Sequence, residues 1–193
     1  MTSGSTNIAE PESPVNYGKG TQATHEGDSG MTQTTVEESA AIKAAFAQFP
    51  SGVAAFSAMV DFTPEALVAS SFTVGVSLEP PLVMFAVQNS STTWPKLRQA
   101  SRLGVSVLAE DQAAAALQLA SKTRDRFAGL DTSVSDSGAV LIDGAVLGFE
   151  CEVVSETPAG DHAIVVLEVK ATTVNLESKP LIYHGAAFRQ LAA

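Results

Sequence analysis

Residues 66–94, "ALVASSFTVGVSLEPPLVMFAVQNSSTTW", decide how this chain folds. The run "ALVASSFTVGVS" (66–77) has the β-branched and aromatic content of a strand, and "LEPP" (78–81) breaks it. "LVMFAVQ" (82–88) predicts the next strand, apolar nearly throughout and so expected to be buried on both faces. Five small polar residues, Asn89, Ser90, Ser91, Thr92 and Thr93, then lead into the only tryptophan, Trp94, and into Pro95. Two polar features stand out against this apolar background. Ser70 and Ser71 sit in mid-strand, where alternation sends one of them inward. An inward hydroxyl without a partner costs about 1–3 kcal/mol, so it meets either a backbone carbonyl or the polar edge of a ligand. The run 89–93 offers hydroxyls and free backbone N–H groups at a helix start, which is either an elaborate helix cap or a seat for an anion.

Working outward, "TVEE" predicts a capping box with Thr35 and Glu38, and Ile42, Phe46 and Phe49 give the following helix one apolar stripe. Pro50 and Gly52 end it. "VAAFSAMV" (53–60) predicts a strand and "DFTPE" (61–65) a turn. Beyond the polar run come a short helix, "WPKLRQAS", capped by Thr93 or a neighbour, a strand, "RLGVSVLA", and a helix led by Asp111. Residues 123–144 predict a loop with one short ordered piece. Two long strands follow, "AVLGFECEVVSE" and "HAIVVLEVKATTVN", joined by "TPAGD", and "PLIYHGAAFRQL" closes with two short strands. Six or seven strands with three inserted helices, and no strand–helix alternation, imply a small, mostly antiparallel barrel.

Composition narrows the function. The chain has 193 residues, 45% hydrophobic, enough for one ordinary domain with a real core. Residues 1–35 hold 4 of the 21 acidic and 1 of the 11 basic residues, leaving an acidic body with 17 and 10. That charge, with no Lys/Arg cluster, argues against nucleic acid or an anionic membrane as partner. Residues 1–34, rich in Ser, Thr, Gly, Pro and Glu, predict a disordered tail before a domain over 35–193. That tail has no signal-peptide stretch, and no apolar segment reaches membrane-spanning length, so a cytoplasmic protein is expected. Cys151 is the only cysteine, which rules out a disulfide within the chain and suits a reducing compartment. One cysteine and three histidines argue against a structural zinc site.

Familiar catalytic motifs are missing. There is no G-x-G-x-x-G, no P-loop and no complete nucleophile elbow, since "VGVSLE" lacks the second glycine. Neither a Ser–His pair nor a carboxylate pair is marked out by spacing. Chemistry carried by a bound cofactor is the alternative, with the protein supplying position and electrostatics.

Six segments together carry a resemblance. "FPSGVA" (49–54), "ASSFTVGVSLEPPLVMFAVQNSSTTW" (69–94), "VSVLAEDQ" (105–112), "DRFAGL" (125–130), "AGDHAIVV" (159–166) and "PLIYHGAAFRQL" (180–191) occur in the order and spacing of the flavin reductase family. The chain resembles these FMN-binding split barrels, which supply reduced flavin to two-component monooxygenases, over residues 42–191. The resemblance implies a largely antiparallel, Greek-key split β-barrel with inserted helices. It also implies FMN or FAD, NADH or NADPH as hydride donor, a separate flavin-dependent monooxygenase as partner, and a homodimer. By the same resemblance Ala69, Ser70, Ser71 and Phe72 line the flavin ring, with Pro81 and Leu82 as its wall. Ser90, Ser91 and Thr92, with Asn89 beside them, hold the phosphate. Arg126 and Phe127 lie near the flavin, and Gly160 and Asp161 border the nicotinamide, which His162 contacts. Tyr183, His184 and Arg189 lie in a closing segment that approaches the site in some members. Two departures bear on this. Ala66 and Val68 stand where the family commonly has glycine and threonine, and Gly185-Ala186 replaces a closing Gly-Gly. A flavin carrier without reductase activity, or an FMN-bound oxidoreductase with another substrate, stays open as an alternative.

Overall fold

Between Ala69 and Thr73 the chain leaves one edge of a seven-stranded sheet and enters the other. A flat sheet of that size would hold its edge strands about 29 Å apart, yet four Cα steps reach only about 14 Å. The sheet must therefore curl until its edges face one another. That curl is the origin of the barrel.

The computed structural model describes residues 39–191. The expected tail at 1–34 and the capping box of Thr35 and Glu38 lie outside the described residues. In chain order the elements are α1 (Ser39–Ala47), β1 (Ser51–Gly52), β2 (Ala54–Val60), β3 (Thr63–Ala69), β4 (Thr73–Leu78), β5 (Pro81–Gln88), α2 (Trp94–Leu97), β6 (Leu103–Val107), α3 (Ala113–Ala120), β7 (Thr132–Val134), β8 (Val140–Ile142), β9 (Leu147–Ala159), β10 (His162–Val174), β11 (Ile182–His184) and β12 (Ala187–Arg189). The main sheet runs β3-β2-β6-β9-β10-β5-β4, with β1-β11-β12 and β7-β8 as smaller sheets. The paired strands are antiparallel throughout, as expected.

Alternation along these strands separates two cores. Ala54, Phe56, Leu67, Ala69, Val83, Phe85, Val87, Leu103, Val105, Cys151, Ala163, Val165 and Leu167 fill the barrel. Phe56 and Phe85 stack at its centre with centroids 4.0 Å apart. Helix α2 plugs one end, sending Trp94 edge-on to Phe85 at 5.3 Å and Leu97 into the same cluster. On the outside, α3 lays Ala116 and Leu119 over Ala55, Ala66 and Val68. Burial pushes the Cys151 thiol up to about 12, so it is protonated and inert at neutral pH.

The β7–β8 hairpin is pinned to the outer side of β2 and β6 by serines. Ser57 Oγ donates to the Val140 carbonyl at 2.8 Å, and the Ile142 N–H donates to Ser106 Oγ at 2.9 Å. The hairpin lies so close to β6 that a Cβ on Gly104 would sit 1.9 Å from the Val140 carbonyl oxygen.

Several local expectations need correction. The single strand expected over 66–77 is two, β3 and β4, because the chain must cross the seam at residues 70–72. Strand β5 is buried on one face only: Val83, Phe85 and Val87 point inward, while Leu82, Met84, Ala86 and Gln88 are half-buried on the outer face. The turn expected over 61–65 shrinks to Asp61-Phe62, both with positive φ, and β3 begins at Thr63. The turn expected over 157–161 shrinks likewise, to Gly160-Asp161. Helix α3 begins at Ala113 with Gln112, not Asp111, at the N-cap position and no side-chain cap hydrogen bond. Phe46 and Phe49, expected as a packed stripe, are 68% and 76% exposed. The closing hairpin keeps a two-residue turn despite losing one glycine: Gly185 and Ala186 both take positive φ, at about 1–2 kcal/mol for the alanine.

Candidate functional site

Residues paired across an antiparallel ladder share a face. Ala163–Val87 and Val165–Phe85 are core pairs, so His162–Gln88 and Ile164–Ala86 lie on the outer face of the barrel. Just beyond Gln88, the polar run and the turn after β9 are bonded into one unit. The Asn89 N–H donates to the Asp161 carbonyl at 3.0 Å, and Asn89 Nδ2 to the Gly160 carbonyl at 3.3 Å. Gly160 adopts φ +66°, which turns these carbonyls toward the loop. Asp161 Oδ1 lies 2.7 Å from His162 Nδ1, and that hydrogen bond holds the Asp161 carboxyl below its ordinary range. A group whose pKa is depressed by folding keeps its contact above the ordinary carboxylate pKa and loses it as the pH falls, so the pair is intact at neutral pH.

The seam supplies the other wall. Ser71 is bonded to β5 in both directions: its Oγ donates to the Ala86 carbonyl and accepts the Ala86 N–H, each at 3.0 Å. This is the backbone partner that alternation allowed for, and it stitches the crossing segment to the strand edge. Ser70 is half-buried beside it and has no hydrogen-bond partner among the described residues. Ala69 faces the barrel core, and Phe72 packs on Phe56 and Phe149 at 5.7 and 6.3 Å, so these two offer backbone and packing rather than polar groups.

In the polar run each hydroxyl has a different use. Ser90 Oγ donates to Gln88 Oε1 at 3.3 Å, and Ser91 Oγ accepts the Trp94 N–H at 3.1 Å. Ser91 thus supplies the side-chain cap of α2, while Thr93, at the N-cap position, makes no side-chain cap bond; its hydroxyl is buried and accepts Arg126 Nη1 at 3.0 Å. Thr92 is exposed and has no hydrogen-bond partner among the described residues. Because α2 has only four residues, its dipole adds little, and any anion here is held by hydroxyls and loop N–H groups.

Arg126 reaches this loop from behind. Its Nε donates to the Ser121 carbonyl at 2.6 Å and its Nη1 to the Ala66 carbonyl at 2.7 Å, with Glu65 Oε2 at 3.6 Å. Asp125 does not pair with it; the Asp125 carboxylate instead accepts the Phe127 N–H at 3.0 Å. Phe127 packs into the cluster beneath α3.

The structure therefore gathers Ser70, Ser71, Asn89, Ser90, Ser91, Thr92, Gly160, Asp161 and His162 around the end of β5, with Arg126 bracing the loop. Pro81 and Leu82 stand apart: they open β5, and six residues at about 3.4 Å put Leu82 roughly 20 Å from Gln88. Sequence reasoning missed Gln88 and Glu65, and it read Thr93 as part of the polar run or a cap rather than as the partner of Arg126. Gln88 carried a signal as the one polar residue ending an apolar strand, whereas Glu65 was hidden in an expected turn. On the core side of the same loop, Asn89, Arg98, Glu156, Pro158 and Ala163 line a groove of about 370 Å³, where Glu156 Oε2 accepts Trp94 Nε1 at 3.2 Å.

Among the described residues no helix is long and apolar enough to cross a membrane, and no group of three or more His, Cys, Asp or Glu could hold a metal ion.

Residues 46–192 match the family described as flavin reductase like domain. The chain is 38% identical to a flavin reductase of Pseudomonas putida over 152 residues, 78% of this chain and 89% of the relative. It is 30% identical to HsaB of Rhodococcus jostii, the reductase subunit of a flavin-dependent monooxygenase, over 73% of this chain and 72% of that one. A solved structure of the Streptomyces globisporus C-1027 NADH:FAD oxidoreductase SgcE6, in complex with NAD and FAD fragments, superposes with a TM-score of 0.79 at 31% identity, covering 84% of this chain and 98% of that one.

Proposed function

The chain belongs to the flavin reductase family, and on that premise we propose that it uses NADH or NADPH to reduce FMN or FAD and supplies the reduced flavin to a separate monooxygenase. One observation carries the assignment of residues. Asn89 joins the hydroxyl-rich loop 89–92 to the Gly160-Asp161-His162 turn through two hydrogen bonds, directly after the His162–Gln88 pair on the outer face.

The residues present fit a phosphorylated flavin. Ser70 and Thr92 have hydroxyls uncommitted among the described residues, and the crossing segment 70–72 is half-buried, outside any strand, and held beside Ala86 by Ser71. In this assignment Ser90, Ser91 and Thr92 hold the phosphate and Ser70 meets the ring edge, while Ser71 fixes the segment that carries it. When flavin and nicotinamide are bound, the chemistry is transfer of a hydride from nicotinamide C4 to flavin N5. The protein's share is to hold these two atoms close and aligned, which needs no general base. His162, oriented by Asp161, forms the wall that positions the nicotinamide. Reading NADH as donor is supported by the names of two similar proteins, the NADH:FAD oxidoreductase SgcE6 and the FMN reductase (NADH) SmoA of Agrobacterium fabrum. The test is absorbance at 340 nm with each nicotinamide and with FMN, FAD or neither. Oxidation that rises with added flavin is the expected result. Bound flavin with no turnover in any combination would instead indicate a carrier.

A homodimer in a reducing cytoplasm completes the proposal. Strand β4 is exposed on nearly all of its length, with Val74, Val76 and Leu78 uncovered, and Ile164 and Val154 extend the apolar surface across β10 and β9. An uncovered apolar edge of this kind calls for a partner. Sedimentation equilibrium should give twice the chain mass; a monomer at micromolar concentration would remove the dimer from the proposal.

A further inference from the structure

Three cations among the described residues border the loop 89–93, Lys96, Arg98 and Arg126, and each is already paired. Arg98 meets Glu156 at 3.4 Å. Lys96, in the first turn of α2, is bonded to Glu65, and Arg126 meets the other oxygen of the same carboxylate at 3.6 Å. Glu65 is thus a single acidic side chain, only 18% exposed, that holds two positive charges on the core side of the loop. Its place follows from register: Glu65 pairs with Ala58 on β2, a core position, at the end of the barrel plugged by α2. The loop itself is left with neutral donors only, the hydroxyls of Ser90, Ser91 and Thr92 and its backbone N–H groups. Neutral hydrogen bonds contribute about half of what charge-assisted ones do.

We propose that Glu65 sets the strength of flavin binding: by holding Lys96 and Arg126 it withholds both charges from the phosphate, so the flavin binds weakly enough to exchange as a substrate. This rests on loop 89–92 being the phosphate seat. Arg126 is fixed by Ser121, Ala66 and Thr93 as well, so it braces the loop whether or not Glu65 is charged. Lys96 is different. Its stem is flexible and 55% exposed, and Glu65 is its only acidic partner among the described residues.

The experiment compares FMN with riboflavin, which lacks the phosphate, by quenching of flavin fluorescence. The wild-type protein should prefer FMN. Glu65→Gln keeps the side-chain shape, removes one negative charge and frees Lys96, and should tighten FMN by about tenfold, the worth of one charge-assisted hydrogen bond over a neutral one, with riboflavin unchanged. Glu65→Gln combined with Lys96→Ala should lose that gain. Lys96→Gln alone, an exposed change, should leave FMN affinity within about twofold, since the ammonium is not offered to the phosphate. An unchanged or weakened FMN affinity in Glu65→Gln, or a large loss in Lys96→Gln, overturns the role of Glu65. If the wild-type protein binds FMN and riboflavin alike, the phosphate seat is wrong and the role of Glu65 falls with it.

Discussion

Replacing His162 with alanine is expected to lower kcat/KM for the nicotinamide by about 10- to 100-fold while flavin affinity stays within about twofold, because the loss is one of positioning. The imidazole is held on the outer face by its β10–β5 register opposite Gln88 and by Asp161 Oδ1 at 2.7 Å. The donors proposed for the flavin, by contrast, sit on the crossing segment and on loop 89–92. His162→Asn, which keeps one polar atom near Asp161, should recover part of the loss. Steady-state kinetics at fixed flavin, with flavin Kd measured separately, divides the outcomes. A parallel rise in flavin Kd would put His162 in the flavin wall. No change in either quantity would remove the Gly160-Asp161-His162 turn from the nicotinamide site.

The largest expected effect on stability lies far from that site. Gly104 has no unusual φ, and its constraint is purely one of space. An added Cβ would fall 1.9 Å from the Val140 oxygen and 2.6 Å from its carbonyl carbon, both backbone atoms that no side-chain rotation can clear. Strand β8 would have to lift off β6, breaking the buried hydrogen bonds from Ser57 and to Ser106 and uncovering Val140 and Ile142. We expect Gly104→Ala to cost on the order of 4 kcal/mol, from overpacking together with two lost buried hydrogen bonds. In a chain of this size that lowers Tm by roughly 8–16 °C. Gly52→Ala is the control: nothing lies within 4 Å of its added Cβ, and it should be close to neutral. A thermal melt of the two variants decides the matter; equal Tm values would mean that the hairpin does not pack on β6 as described.

Much of the fold was legible because its signals are local. The prolines of "LEPP" separated β4 from β5, and Gly160-Asp161 marked the turn between the two longest strands. The polar run was legible too, since five small polar residues after an apolar strand are conspicuous in one dimension. Which hydroxyl does what was not. Ser91 and Thr93 look alike in sequence, and only the arrival of Arg126, 33 residues further on, makes Thr93 a buried strut and leaves Ser91 to cap α2.

By itself the sequence determined the class of the protein: an acidic, mostly antiparallel barrel with one buried thiol, no metal or nucleophile motif, and six collinear segments that identify a flavin reductase. Composition, periodicity and turn chemistry are local properties, and they survive in the linear order. The tertiary structure alone decided that residues 66–77 are two strands, because the break comes from sheet edges that meet across the seam and not from any breaker residue. It also decided that Ser71 stitches that seam, that Glu65 gathers the charges behind the loop, and that Gly104 must be glycine. Each of these depends on atoms brought together from positions 15 to 61 residues apart. Separations of that length are closed by the curl of the sheet, and no periodicity in the chain records them.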